Sequence, residues 1–499
     1  MQRDRATTIF ERSAPGRRAA VLPDDGIPEQ AAEELIPAEL LRERPAELPE
    51  IAEPEIVRHY NRVSRRNFDL DSGFYPLGSC TMKHNPRLNE RVAALAGHAR
   101  LHPATPPALA QGALELMWGL ERSLAEICGL AHVSLQPSAG SHGELAGLLL
   151  TRAFHATNGE ESQRTKVLIP DTAHGTNPAT VTMAGFEVVK VATASDGGVD
   201  LDDLRSKSSE EVAGLMITNP NTLGLFDANI GEITRIVREA GGVLYYDGAN
   251  LNAIMGKVRP GDMGFDIVHV NLHKSFSQPH GGGGPGAGPI CVSDRIEPYL
   301  PVPRIERVES GNGAGPSFEL RSDHPQTIGR LRGFQGNFGV FVRSYAYILS
   351  LGGDGLTEAS ETAVLNANYL LARLSEGRTG EYLPVGFDHR PLHEFVLSGK
   401  PAKKELGAST TDIAKRLLDY GIHPPTIYFP LLVEEALMME PTETETKESL
   451  DAYADALEEI LTEASEDPGI LAEAPYTTPV RRLDEVGASR NPVLRQPLD

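Results

Sequence analysis

Between residues 165 and 290 short apolar runs recur with helical stretches between them, and this alternation constrains the fold more than any other feature. The runs are Val167–Ile169, Glu187–Val191, Leu215–Thr218, Val243–Tyr246 and Ile267–Val270. Each reads as a buried strand. Between two of them a helix is predicted to start near Asn229, with Glu232 three residues on as a capping pair and Ile230, Ile233, Val237 and Ala240 as its stripe. Strand–helix alternation of this kind predicts an α/β domain with a mostly parallel sheet.

The chain has 499 residues, too many for one hydrophobic core. A helix is predicted over about 109–128, where Leu109, Ala113, Leu116, Leu120, Leu124 and Ile127 make one apolar stripe. Residues 1–60 are rich in proline and acid, and read as an arm that packs on another domain or subunit. The last third differs again. One helix is predicted at about 411–420, stopped by Gly421 and then Pro424 and Pro425. Another is predicted at about 442–465, opened by a capping box at Thr442 and Glu445 and striped by Leu450, Tyr453, Leu457 and Ile460. The organisation expected is an arm with helical segments over 1–95, a large domain over 96–335 and a smaller α+β domain over 336–499.

Net charge is -22, which disfavours nucleic acid and anionic membranes as partners. No apolar run approaches the roughly 20 residues that span a bilayer. The arginine-rich N-terminus lacks an apolar core, so no secretory signal is expected. The three cysteines, at 80, 128 and 291, form no C-x-x-C pair. No metal site is expected from them, and a reducing, cytoplasmic setting is.

In open α/β sheets ligands bind beyond the carboxyl ends of the strands. Asp247 follows the run Val243–Tyr246, and Lys274 follows Ile267–Val270 through Asn271-Leu272-His273. A pyridoxal phosphate (PLP) enzyme needs a lysine to hold the aldehyde as a Schiff base and an acid opposite the pyridine nitrogen. Lys274 suits the first role and Asp247 the second. The same pair also reads as a strand-end salt bridge or as solvated loop residues.

Two further segments bear on that choice. Asp171-Thr-Ala-His-Gly-Thr-Asn-Pro178 follows Val167–Ile169 and puts His174 at another strand end, where an imidazole can stack on a pyridine ring. A turn with a capping histidine is the alternative. Pro137-Ser-Ala-Gly-Ser-His-Gly143 leads into the apolar run Leu145–Leu150. Small residues opening a helix leave backbone N–H groups to hold a phosphate, and Ser141 adds a hydroxyl. An ordinary cap reads the same way. The glycine-rich run His280–Gly288 is not a dinucleotide fingerprint. It is expected to let the backbone pass close to a cofactor or a neighbouring subunit.

The segment NLHKSFSQPHGGGGPGAGPI closely resembles the PLP-lysine segment of glycine dehydrogenase (decarboxylating), the P-protein family of the glycine cleavage system. GFYPLGSCTMKHNPR, SLQPSAGSHGEL, DTAHGTNPAT, TNPNTLGLF, YYDGANLNA, IGRLRGFQGNFG and HPPTIYFPLLVEEALMMEPTETE agree in the same order, from about residue 8 to residue 485. The family occurs as one long chain of two related halves or as two separate subunits. IFERSAPGRRA and NPNTLGLF resemble the separate second subunit, the half that keeps the lysine.

The resemblance implies the fold of PLP-dependent transferases of fold type I. It implies Lys274 and His174 as catalytic residues, with Lys274 carrying the cofactor, Asp247 at the ring nitrogen, His174 on the ring and Ala249 beside it. Gly140, Ser141, His142, Asn271 and His273 would lie near the phosphate. Ser275 stands where the family usually has threonine, and Ser138 and His142 vary from the commoner pattern. The implied reaction is decarboxylation of glycine with transfer of an aminomethyl group to the lipoyl arm of H-protein, an oxidoreductase step. The implied partners are a subunit 1, in a heterotetramer of two each, and that lipoylated carrier. Two other classes are weighed against this: another PLP enzyme such as an aminotransferase, for which no second-carboxylate arginine is assignable, and a silent scaffold, which has no use for Lys274, Asp247 and His174 together.

Overall fold

The structure, a computed structural model, describes residues 7–18, 24, 26–44, 46–280, 286–309 and 315–494. Its contacts divide into two compact units, residues 1–72 with 473–499, and residues 73–472. Residues 73–95 lie in the second unit. Gly281–Pro285 of the glycine-rich run fall outside the described residues.

In the first unit a helix runs from Glu53 to Ser64, and the Arg17 guanidinium pairs with Glu55 at 3.0 Å. Leu40 and Leu48 are exposed there.

The second unit is built on a seven-stranded sheet. Its strands are β1 (His132–Ser134), β2 (Lys166–Pro170), β3 (Glu187–Val191), β4 (Val212–Thr218), β5 (Val243–Gly248), β6 (Ile267–Val270) and β7 (Ile290–Val292), in the spatial order β1-β7-β6-β5-β4-β2-β3. The five predicted runs are β2 to β6, and every pairing among them is parallel. β7 runs antiparallel to β6, and β1 antiparallel to β7. Apolar layers cover both faces. Leu168, Leu215, Leu244 and Val268 belong to one core, while Val167, Ile169, Met216, Tyr245 and Ile267 belong to the other. Alternate residues of one strand are thus buried on opposite faces, which is why these strands read as continuous apolar runs.

A two-stranded ribbon, β8 (Arg304–Val308) with β9 (Ser317–Arg321), follows. The smaller part of this unit holds a three-stranded antiparallel sheet, in the order β10 (Phe395–Ser398), β12 (Ala436–Met439), β11 (Thr426–Ile427). The helices Thr410–Asp419 and Lys447–Glu466 cover it, with Ile413, Leu417, Leu450, Tyr453, Leu457 and Ile460 in its core. The long helix Phe338–Leu374, interrupted at Gly352 (φ 64°), supplies Phe341 to the core of the large sheet and Leu370 to that of the small one.

Three local expectations are corrected. The helix over Gln111–Cys128 buries Leu114, Met117, Leu120, Leu124 and Cys128, so the core stripe is shifted from the one predicted. Leu109 lies before the helix and is exposed. Asn229 makes no side-chain cap, and the Glu232 carboxylate, free of the reciprocal half of a capping box, accepts from Arg205 and Arg235. The helix predicted from Thr442 starts at Lys447, capped by Thr446, whose hydroxyl accepts from Ser449 N at 3.2 Å.

Candidate active site

A cavity of about 230 Å³ opens at the carboxyl ends of the parallel strands. Gly140, Ser141, His174, Asp247, Ala249, Asn271, His273 and Lys274 all line it. His142 does not. One residue further along the helix turns its side chain away, and its Nδ1 accepts from Ser138 N at 3.1 Å.

Asp247 is the last residue but one of β5, and strand register places it between Thr218 on β4 and His269 on β6. It is buried. Its Oδ2 accepts from Asn177 Nδ2 at 2.9 Å and from Thr218 Oγ1 at 3.3 Å, and its Oδ1 accepts from Ala249 N at 3.0 Å. His269 Nε2 lies 3.3 Å from Oδ1, outside hydrogen-bond alignment. Tyr245 Oη is 2.8 Å from the other nitrogen of His269. Burial alone would raise the Asp247 carboxyl. His269, the Asn177 amide, the Ala249 N–H and His174 outweigh it and hold the carboxyl below its ordinary value. Asp247 is therefore an anion fixed in place by its own neighbours.

Lys274 sits in the short helix Leu272–Ser275, straight after β6. Ser275 Oγ accepts from Leu251 N at 2.7 Å, so the hydroxyl beside the lysine is structural. His174 follows β2. Its Nδ1 is 2.9 Å from Thr176 Oγ1, and its ring meets Phe429 edge-on at 5.6 Å. Burial, then the Lys274 charge, lowers its pKa. His273 is pushed down to about 4, by burial first and then by His280 and Lys274. It is neutral at physiological pH.

The helix Gly140–Thr157 points its N-terminus at the cavity. Its cap residue, Ala139, has no side chain to satisfy the first N–H groups. A Cβ on Gly140 would come within 2.5 Å of the Asn271 amide oxygen, so only glycine lets the helix approach so closely. Asn271 Oδ1 itself is buried with no hydrogen-bond partner among the described residues.

This donor set fits PLP. Such a cofactor needs an amine, a buried anion, a flat neighbour for its ring and N–H groups for its phosphate. Lys274, Asp247, His174 and the capless helix start provide them around one cavity.

Several wall residues were missed from sequence. Glu144 accepts from Thr176 Oγ1 at 2.7 Å and Thr180 Oγ1 at 3.0 Å, tying the His174 loop to the helix Gly140–Thr157. Ser79, His393 and Glu394 also line the cavity. They come from segments far from the strand ends on which the sequence reading concentrated. Strand register, had it been available, would have found His269 opposite Asp247.

A family model described as glycine dehydrogenase, C-terminal domain, matches residues 359–471. The probable glycine dehydrogenase (decarboxylating) subunit 2 of Caldanaerobacter subterraneus is 53% identical over 495 residues, 99% of this chain and 99% of that protein. Its namesake from Halalkalibacterium halodurans is 56% identical over 495 residues, with the same coverage of both. Among solved structures, an inhibitor-bound glycine decarboxylase (P-protein) of the glycine cleavage system superposes with TM-score 0.71 at 22% identity, over 86% of this chain and 95% of that one. A NifS-like protein superposes with TM-score 0.56 at 16% identity, over 79% of this chain and 98% of that one. The shared fold is that of PLP-dependent enzymes of fold type I.

Proposed function

Because this chain belongs to the glycine dehydrogenase (decarboxylating) subunit 2 family, we propose that it decarboxylates glycine and passes the aminomethyl group to the disulfide of a lipoylated carrier, H-protein. The observation that carries this reading is Asp247 on β5 and Lys274 in the short helix that follows the neighbouring parallel strand β6, opening with His174 on one cavity.

PLP, when bound, supplies an electron sink for the pair left behind as CO₂ departs. Lys274 would hold it covalently through Nζ. Asp247, fixed by Asn177, Thr218 and Ala249 and flanked by His269, would keep a proton on its ring nitrogen. His174 would lie against its ring. Gly140, Ser141 and Asn271 would surround its phosphate, with the free N–H groups of the helix start. Among the described residues no arginine lines the cavity. This supports a monocarboxylate substrate over the dicarboxylates that many aminotransferases bind.

The "subunit 2" in the relatives' names supports a partner subunit 1, and the assembly we propose is a heterotetramer with two copies of each. No helix of the described residues is long and apolar enough to cross a membrane. Cys80, Cys128 and Cys291 are free thiols, which supports a reducing compartment, the cytoplasm.

The test is borohydride reduction of the cofactor-loaded protein, followed by peptide mapping and by release of labelled CO₂ from carboxyl-labelled glycine. Label on Lys274, with release that needs both the partner subunit and lipoylated carrier, is expected. A label on another lysine, or a keto acid formed without the carrier, would overturn the reading.

A further inference from the structure

Glu394 and Glu440 face each other at one end of the small sheet. Phe395 pairs with Met439 in antiparallel register, so the next residues out, 394 and 440, are opposite one another. Like charges in that position destabilise a strand pair. Here both side chains are also buried, at 5% and 0% exposure. Acceptor atoms of Glu394, Glu440 and His393 lie within 4.8 Å of one another.

The three are held differently. Glu440 accepts from Thr81 N at 3.0 Å, Thr81 Oγ1 at 2.7 Å and Asn250 Nδ2 at 2.8 Å. Glu394 receives one hydrogen bond, from Ser79 N at 2.8 Å. The His393 ring is 2% exposed, yet neither of its nitrogens has a hydrogen-bond partner among the described residues. Its Nε2 is 3.8 Å from Glu394 Oε1. His393 and Glu394 reach the wall of the Lys274 cavity, and Glu440 does not. The other two carboxylates on that wall, Glu144 and Asp247, are engaged by donors from Thr176, Thr180, Asn177 and Ala249.

The proposed transfer needs a proton donor. The bond between glycine's two carbons breaks and CO₂ leaves. The electron pair left on the aminomethyl carbon forms a bond to one sulfur of the disulfide. The sulfur–sulfur bond breaks, and its pair goes to the second sulfur. Carbon is oxidised by two electrons and the disulfide reduced by two. The second sulfur must gain a proton to leave as a thiol.

We propose that Glu394 delivers that proton, with Glu440 as the positioning residue that keeps it on Glu394 and His393 as the route by which it is replaced. The inference rests on the proposed function above. Burial, then the Glu440 charge, pushes the Glu394 carboxyl well above its ordinary value, against the pull of Ser79 N–H and Lys274. The single donor and the opposing carboxylate favour the protonated form of Glu394 in the same direction. Burial keeps His393 neutral, able to accept on one nitrogen and donate from the other.

The test uses the cofactor-loaded complex with its partner subunit. The infrared difference spectrum between the resting parent and Glu394→Gln should show the loss of one carbonyl band of a protonated carboxylic acid, while the band of Glu121 stays in both. Glu394→Gln should slow transfer to the lipoyl disulfide by about 10²-fold or more. A carrier bearing the diselenide analogue, whose selenolate leaves without a proton, should restore most of the rate. Glu440→Gln, which removes the opposing charge, should move the alkaline limb of the pH–rate profile to lower pH. Absence of the infrared difference, an unslowed Glu394→Gln, or equal slowing with both carriers would overturn the assignment. If Glu394→Gln does not fold, the Glu440→Gln profile decides. If the unmodified complex fails to release CO₂ with lipoylated carrier, the functional reading itself fails, whatever Glu394 does.

Discussion

Lys83 Nζ donates a 2.7 Å hydrogen bond to the carbonyl of Ser275, the residue after Lys274. The same ammonium donates to Glu443 Oε1 at 2.7 Å, Asn252 Oδ1 at 3.1 Å and Tyr347 Oη at 3.2 Å. Burial alone would lower its pKa, but Glu443 and Tyr347 outweigh that and raise it, so the buried group stays charged. Lys83→Met leaves Glu443 buried beside no cation. Urea denaturation should show a loss of about 3–5 kcal/mol. The double variant with Glu443→Gln should lose less than Lys83→Met alone. A larger loss in the double variant would show that Lys83 acts through Ser275 and Asn252 instead.

Asp247→Asn removes the fixed anion but leaves Lys274 free to condense. Glycine turnover should fall by roughly 10²–10³-fold, the range for losing one preorganised electrostatic partner. Borohydride should still attach the cofactor to Lys274. A near-normal turnover would show that another group faces the ring.

Gly140→Ala places a methyl group within 2.5 Å of the Asn271 amide. Overpacking of this kind costs about 1–3 kcal/mol, here drawn from the cofactor's site. Fluorescence titration should give a cofactor dissociation constant raised by about tenfold or more, while far-UV circular dichroism is unchanged. An unaltered constant would mean that Asn271 and the helix start do not hold the cofactor.

Glu121, buried in the helix Gln111–Cys128, is pushed up to about 8 by burial, with Arg122 pulling the other way. The folded state therefore keeps a proton that the unfolded chain releases near its ordinary value. Stability from this group is full below that value and falls as pH rises toward about 8. Glu121→Gln abolishes the titration. Its thermal midpoint should exceed the parent's at about pH 8 and nearly match it at about pH 4. A constant gap across that range would refute the linkage.

The large sheet was legible because its strands are buried on both faces. Residues such as Val167, Leu168 and Ile169 need no alternation to announce themselves. Lys274, Asp247 and His174 were legible because strand ends in such sheets carry the chemistry. Helix starts were less so. Thr442 and Glu445 have capping-box spacing, but Thr442 adopts φ 66° in a loop and Thr446 takes the cap. His142 has the right neighbours for a phosphate site and the wrong helical phase. Ser79, Thr81, Lys83, His393, Glu394 and Glu440 were illegible for another reason. All but His393 matter through a partner hundreds of positions away, His393 matters through Glu394 beside it, and no periodicity encodes such pairings.

The bonds from Thr81 to Glu440 span 359 positions. On a ribosome the chain emerges from its N-terminus. All seven strands of the large sheet have been made by Val292, long before Glu440 exists. Closing so long a loop adds little free energy beyond a shorter one, so the delay lies in time more than in cost. Through most of translation the segment around Thr81 and Lys83 waits for its acceptors. A nascent chain halted before residue 440 can hold a sheet bearing Lys274, but its Thr81 still lacks the Glu440 carboxylate that receives its N–H and hydroxyl. A pocket with its whole lining therefore needs the chain at least as far as Glu394, and its Thr81 anchor needs Glu440 as well.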